Sequence, residues 1–489
     1  MKYATPESCG VSSASITKMI DALESNRLST HDLIIARGDN IIFEKYWKPF
    51  DEKFLHRQYS VSKSIVTLAV GFALQDGLFS LDEPIEKYFA DKMTEKTNEL
   101  QRKQTIRDML MMSTALPCKD WFSARTDDRV RFYFENDFEP AVEGGTIFKY
   151  DSTGTFVIGA LVERLTGMKF MDYLRGKLFE KIGVSSEAHC LECPGGHSWS
   201  DSAVLCTAQD LLKIARFTLN YGEWEGEQLL DRQFLVDATS ALVQNDHINE
   251  NMHSTQGYGY YIWRTYENSF SFNGMGSQFA LCVPDKDMIL IIHSDNQGRA
   301  DDAKRVIFDS FFDIVHSAKD VPIEVNLEDV IKLRERTSGL KLASAVGATY
   351  SPFAEQLNGK TFKFGENRMG IKTAQFVFNE NGGCIYYENE QGKKKIAFGM
   401  GCNVFGEFEQ DGYSDVVGSQ KGERRYKCAA SAIWMSEKSL LLKVQIIDTY
   451  FGNFHALFSF KNNTVSLQSE KYAEDFLCEY YGRAFGTEN

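Results

Sequence analysis

Ser60 and Lys63 stand three residues apart in the stretch Gln58-Tyr59-Ser60-Val61-Ser62-Lys63-Ser64. Residues three apart are neighbours on a helix, so this spacing lets the Lys63 ammonium reach the Ser60 hydroxyl. A serine alcohol is a weak nucleophile until a neighbouring base takes its proton, which is the chemistry such a pair offers. The residues that follow leave the predicted helix almost no polar face: Val61, Ile65, Val66, Leu68, Ala69, Val70, Phe72, Ala73 and Leu74. A helix apolar all round is a buried one. Asp76-Gly77 closes it with the glycine expected just past a helix C-terminus. Ser60 then lies at the positive end of a buried helix, where backbone N–H groups favour a developing negative charge. The same spacing recurs at Ser15–Lys18 and Ser338–Lys341, but the first lies in an ordinary amphipathic helix and the second in a polar connecting stretch. The competing assignment for Ser60 is an N-cap serine whose lysine snorkels to the surface.

Two further clusters have residue types suited to the same chemistry. Lys149-Tyr150-Asp151-Ser152-Thr153-Gly154 precedes a predicted helix from about Phe156 to Leu165. A tyrosine just before such a turn can be held rigidly with its hydroxyl aimed at another element, or its ring can simply pack under the loop. Phe272-Asn273-Gly274-Met275-Gly276-Ser277-Gln278 leads into a predicted strand, Ser277–Val283. Paired glycines there allow a ligand close to the backbone, where an N–H can serve an acyl oxyanion; otherwise they mark a plain bulge. A fourth cluster, His189-Cys190-Leu191-Glu192-Cys193-Pro194-Gly195-Gly196-His197, holds zinc-ligand side chains. Structural zinc sites draw their ligand pairs from separated segments, so the cluster reads as a loop with incidental thiols, and no metal is expected. G-x-S-x-G, H-E-x-x-H, Walker A and G-x-G-x-x-G motifs are absent, and no organic cofactor is expected.

These side chains must be positioned by a chain of 489 residues, long enough for two domains. Its 43% hydrophobic and 25% charged residues are those of an ordinary globular protein. The net charge of −14 argues against nucleic acid or an anionic membrane as partner. The N-terminus carries no apolar signal-like run and no stretch reaches membrane-spanning length, so a cytoplasmic location is expected. The ten cysteines are mostly single and flanked by apolar residues, as in reduced proteins.

Residues 12–25 pattern as an amphipathic helix, and two apolar runs around Gly38-Asp39-Asn40 read as a β-hairpin. The Ser60 helix follows, then a helical and loop-rich section to about residue 255. Strands return at Tyr258–Trp263 and in a hairpin from Ser277 to His293, and a long helix runs from Ala303 to Val315. Residues 1–320 therefore predict an α/β (α+β) domain with an antiparallel sheet flanked by helices and an all-helical region. Residues 321–345 read as a polar connector with a helix around Leu327–Arg336. Residues 346–489 alternate short β-rich runs with turns such as Asn381-Gly382-Gly383, Gln391-Gly392-Lys393 and Asp411-Gly412, predicting an antiparallel sandwich or lipocalin-like barrel.

The order nucleophile–lysine, tyrosine, glycine strand resembles that of the penicillin-recognising serine hydrolases. The likeness is greatest to the class C β-lactamase-like branch, which includes family VIII carboxylesterases, D-amino-acid peptidases and nylon-oligomer hydrolases. It spans roughly residues 5–318 and takes in Thr105-Ile106-Arg107-Asp108-Met109-Leu110, the Tyr150 to Gly159 spacing, Gly222 and Gly226, Gly257-Tyr258-Gly259 and Val283-Pro284-Asp285. The resemblance implies a β-lactamase/transpeptidase-like fold. By position it implies Ser60 as nucleophile, Lys63 as the residue on its proton path, and Tyr150 as general base or its partner. Ser152 stands where the family has Asn. Gly274 matches the glycine of K-T-G, and the N–H groups of Ser60 and Met275 would form the oxyanion hole. Phe272 occupies the lysine or histidine position, which with Asn273 implies an apolar wall and a preference for uncharged acyl groups. Trp121, Phe122, Phe132, Tyr133 and Phe134 either line a pocket or form a small satellite core. The implied activity is cleavage of a small-molecule ester or amide through an acyl-enzyme. A binding or structural protein, an acyltransferase, and a β-lactamase or D-peptidase are the alternatives. The C-terminal domain is expected to cover the cleft or to mediate homo-oligomerisation.

Overall fold

The computed structural model describes residues 1–116, 118–135, 141–248, 251–410, 425–474 and 476–489. The helix after Ser60 runs Val61–Gln75, and every residue from Val61 to Ala73 is buried. Its hydroxyl side chains meet backbone groups of surrounding elements. Ser62 Oγ accepts from Val204 N–H (3.0 Å), while Ser64 Oγ and Thr67 Oγ1 donate to the Tyr261 and Tyr260 carbonyls, both at 2.7 Å. A polar side chain costs little in such a core because each hydroxyl finds a partner.

The helix packs beside a seven-stranded sheet. Its order is Lys2–Tyr3, Asn40–Tyr46, Thr30–Arg37, Met288–Ser294, Gln278–Val283, Phe270–Gly274 and Trp263–Arg264. The sheet is antiparallel except at one edge, where Lys2–Tyr3 runs parallel to Asn40–Tyr46 and makes it mixed. Alternation along the strands divides the side chains between two buried faces. On one face Leu33, Ile35, Phe279, Leu281, Leu290 and Ile292 pack with apolar residues of the terminal helices Ser13–Ser25 and Ala300–Ser317. Ile34, Ala36, Ala280, Cys282, Ile289 and Ile291 point the other way and are equally buried. The helical region is built around Ser152–Thr166, which packs against the Ser60 helix. Trp121, Tyr133 and Phe134 are buried there, and Trp121 meets Phe156 at 5.1 Å, so these rings form the satellite core rather than a substrate pocket.

The chain divides into two compact units, the first running Met1–Lys341 and the second beginning at Leu342. The helix Leu327–Thr337 is part of the first unit, where Leu333 and Leu340 join the core against the Ser13–Ser25 helix. The polar run was expected to be a connector, but two apolar residues dock it. The second unit is a nine-stranded barrel, closed where Gly399–Met400 pair with Ser431–Ala432, with Val404–Glu409 as a further edge strand. Closure removes the sheet edges that a sandwich would leave open. Phe362, Phe376, Phe458 and Phe460 fill its interior, and a cavity of ≈ 40 Å³ beside Phe454 and Tyr480 is water-sized. The turn expected at Asp411-Gly412 lies outside the described residues.

Candidate active site

Ser60 closes a turn whose preceding residue is strained. Tyr59 is buried with φ of 46°, a left-handed conformation that is costly for a bulky side chain. Its surroundings hold it there. The Arg57 guanidinium lies 4.4 Å from the Tyr59 ring centroid and 4.3 Å from that of Trp199. Gln58 N–H donates to the Val204 carbonyl at 2.8 Å, and the Gln58 carbonyl accepts from Val61 N–H at 3.1 Å. The turn delivers Ser60 to the helix N-terminus in a part-exposed position, and its Oγ makes no capping hydrogen bond.

Lys63 does not snorkel. It is 1% exposed, and its Nζ donates to Ser60 Oγ at 2.8 Å and to the Asp201 carbonyl at 2.7 Å. Those two bonds aim the amine at Ser60 Oγ. The Lys63 Nζ also lies 5.3 Å from the Tyr150 ring centroid, which brings the third residue to the pair. Tyr150 is 38% exposed, and its ring stacks on Trp263 at 5.6 Å. The backbone beneath it is fixed, since Lys149 N–H donates to the Met112 carbonyl at 2.7 Å. Asp151 caps the next helix by accepting from Thr153 N–H at 2.9 Å, and the Thr114 hydroxyl donates to it at 2.9 Å. Burial raises the Asp151 carboxyl above its ordinary value, partly offset by those bonds. Ser152 is the first residue of that helix and is partly exposed.

The glycine strand approaches the turn before Ser60 closely. A Cβ on Gly274 would sit 2.4 Å from the Gln58 carbonyl oxygen, two residues before Ser60, so only glycine lets these backbones meet. Met275 lies in the hairpin turn beyond, where Gln278 pins the backbone by donating to the Met275 carbonyl (2.9 Å) and the Ser294 carbonyl (2.6 Å).

Phe272 corrects the sequence expectation. It is 0% exposed and pairs with Ala280, on the face opposite Phe279, so it belongs to the core and walls no cleft. Alternation leaves its partly exposed neighbour Asn273 on the other face. The Asn273 carbonyl oxygen faces the Lys304 ammonium at 3.0 Å, and its NH₂ meets the Ser271 hydroxyl (2.7 Å) and the Phe272 carbonyl (3.2 Å). Lys304 comes from the Ala300–Ser317 helix, donates to Ser254 Oγ at 2.6 Å, and lies 5.5 Å from the Trp263 ring centroid. Lys304 and Trp263 were not singled out in the sequence: one is an ordinary helix lysine and the other a strand aromatic. The Asp151 cap was missed because the helix was expected to start near Phe156, whereas it begins at Ser152.

Burial lowers the Lys304 amine to about 7, against a small opposing pull from Asp301. Its folded value therefore lies below its unfolded one, and the unfolded chain binds more protons between about 7 and the ordinary lysine value near 10.5. Stability should rise with pH across that window and be lost as pH falls through it. Lys304→Met should flatten that rise, an effect on the order of a few kcal/mol. Urea unfolding from pH 7 to 10 checks this, and equal slopes for wild type and variant would refute it.

The zinc-ligand side chains of residues 189–197 do not converge. His197 Nδ1 pairs with Glu163 at 2.9 Å, and His189 Nδ1 lies 2.8 Å from the Glu187 carbonyl in a separate strand pairing. Among the described residues, the cysteines are all free thiols.

The Beta-lactamase family profile matches residues 18–309, more than half of the chain, and the protein belongs to that family. It is 23% identical over 267 residues to a 6-aminohexanoate-dimer hydrolase of Paenarthrobacter ureafaciens, covering 50% of this chain and 67% of that one. Among solved structures, the octameric penicillin-binding protein homologue from Pyrococcus abyssi aligns with a TM-score of 0.51 at 13% identity. That alignment covers 96% of this chain and 99% of the other, so the likeness of fold extends into the barrel unit. EstCE1, described as a hydrolase with promiscuous acyltransferase activity, aligns over 61% of this chain and 99% of its own, with a TM-score of 0.50 at 14% identity. No helix among the described residues is long and apolar enough to cross a membrane.

Proposed function

We propose that this protein is a serine hydrolase that cleaves a small ester or amide through an acyl-enzyme on Ser60. The observation that carries the reading is the 2.8 Å bond from a buried Lys63 amine to a Ser60 hydroxyl that takes no part in capping its helix. Ser60 Oγ attacks the carbonyl carbon while its proton passes towards Lys63 and Tyr150. The oxyanion gathers on the Ser60 and Met275 N–H groups, with the helix N-terminus favouring its charge. The leaving group takes a proton from the Tyr150 side. Water then attacks the acyl-enzyme by the reverse path, which returns the proton to Ser60. The hydrolase names of similar proteins support the reaction class. A fluorophosphonate probe tests it: wild type should be labelled and Ser60→Ala should not.

The side chains around Asn273 support an uncharged substrate class. The Lys304 ammonium beside Asn273 is 6% exposed and already bonded to Ser254 and Asn273. A substrate carboxylate placed there would meet a neutral amide in place of a free cation. The missing charge-assisted hydrogen bond is worth about 1.5–3 kcal/mol, roughly ten- to a hundredfold in binding. We therefore expect a short-chain p-nitrophenyl ester to exceed nitrocefin in kcat/KM. A higher value for nitrocefin would show that an anion finds a cation in this cleft.

A further inference from the structure

Behind the nucleophile turn, Asp32, His56, Gln58 and His293 form a polar cluster that is wholly shielded from solvent. Asp32 and His293 sit opposite one another on neighbouring strands, Thr30–Arg37 and Met288–Ser294, so their side chains share a face. His293 Nδ1–H donates to the Asp32 carboxylate, 2.9 and 3.0 Å from its two oxygens. The ring's other nitrogen faces the Gln58 amide, 3.0 Å from its Nε2, which donates to it, and 3.2 Å from its Oε1. The second hydrogen of that amide nitrogen goes to the His56 carbonyl at 3.0 Å. A chain of bonds thus runs from the sheet to the residue two before Ser60. The Gln58 carbonyl continues it to Val61 N–H, and the Gly274 backbone packs closely against that carbonyl.

Asp32, His56 and His293 also bring ligand atoms within 4.8 Å of one another, which raises a metal site. The ring geometry argues against it. His56 and His293 lie in a parallel stack, centroids 4.3 Å apart and planes 7° apart. An imidazole lone pair lies in its ring plane, so stacked rings direct their lone pairs side by side and not at one point. A zinc about 2.0–2.1 Å from both nitrogens would lie out of both planes.

We propose that the Asp32–His293–Gln58 chain is the positioning device for Ser60, holding the strained turn so that Oγ meets Lys63 and the Gly274–Met275 backbone. The inference rests on Ser60 being the nucleophile. A bulky residue at positive φ persists only where its surroundings over-determine the backbone. The Gln58 side chain is the tie from the sheet to that backbone, and the Asp32 carboxylate sets which ring nitrogen carries the proton. An asparagine at 32 can donate to His293 Nδ1 and drive the ring proton to Nε2. The ring would then bond the Gln58 oxygen, already 3.2 Å from Nε2, in place of its N–H, and the amide would shift against the His56 carbonyl. A shift of about 1 Å at a reacting atom is enough to slow a reaction about a hundredfold.

The test compares Asp32→Asn, Gln58→Met and the double variant in the full chain. Steady-state kinetics on p-nitrophenyl acetate are combined with the rate and end point of fluorophosphonate labelling. Each single variant should lower kcat about 10- to 100-fold with KM within about twofold. Labelling should slow in parallel yet reach the wild-type end point, because the sites are folded but misaligned. The double variant should be no slower than the slower single one, since the residues act as a unit. Losses that multiply, a labelling end point that falls with melting temperature, or one zinc per chain lost in Asp32→Asn would each overturn the proposal. If Asp32→Asn fails to fold, Gln58→Met decides alone: kcat within twofold of wild type at full labelling refutes the device. A wild type that the probe leaves unlabelled overturns the hydrolase reading and this inference together. Labelled wild type with unimpaired variants overturns this inference alone.

Discussion

Ser60→Ala is expected to abolish turnover while leaving the protein folded. The Ser60 hydroxyl makes no cap bond to its helix, so its loss removes no backbone partner. Even an ordinary cap is worth only about 1 kcal/mol. Lys63 keeps its bond to the Asp201 carbonyl, and the helix from Val61 to Ala73 stays buried as before. Without the nucleophile there is no acyl-enzyme, and a loss on the order of 10⁴- to 10⁶-fold in kcat follows. The measurement pairs ester hydrolysis with a thermal melt. Activity above about a tenth of wild type in a folded variant would remove Ser60 from the mechanism.

Tyr150→Phe should lower kcat by about 10²–10⁴, the range for losing a group that moves a proton in the transition state. Phenylalanine keeps the ring, so the stack on Trp263 at 5.6 Å and the Lys63 contact at 5.3 Å should survive. The hydroxyl is then the only thing taken away. KM should hold within about threefold, because binding uses the cleft and not the proton. A variant in which KM rises and kcat does not would make Tyr150 a substrate contact. A variant with a fallen melting temperature would mean that the hydroxyl holds the loop. The first result would move the general-base role to Lys63, whose amine already touches Ser60 Oγ.

Much of the fold was legible because it rests on local pattern. The run from Val61 to Leu74 has no polar face, and a helix without one has to be buried wherever the rest of the chain goes. Gly38-Asp39-Asn40 and the Pro284–Lys286 turn mark the hairpins that place Asp32 and His293 in the sheet. The β texture beyond residue 346 announced an antiparallel domain. Whether it closed was decided by the pairing of Gly399–Met400 with Ser431–Ala432, some thirty residues apart and unmarked by any local signal.

The sequence by itself determined the pair Ser60–Lys63, because three residues on one helix are neighbours whatever the tertiary structure does. The glycines at 274 and 276 suggested close backbone approach or a plain bulge, and only the fold showed that Gly274 meets the Gln58 carbonyl. Tertiary structure alone decided which way the residues around that glycine point. Phe272 was expected at the cleft, but strand register sends it into the core and turns Asn273 to Lys304, thirty-one residues further along the chain. A strand shows its two faces to different neighbours, and a slip of one residue exchanges them. The charge near this site was equally invisible in the sequence. A lysine in the amphipathic helix Ala300–Ser317 is an ordinary surface residue until packing covers it, and only then does burial lower its amine to about 7. Short-range spacing placed Lys63 beside Ser60; the long-range packing of strands and helices decided what surrounds them.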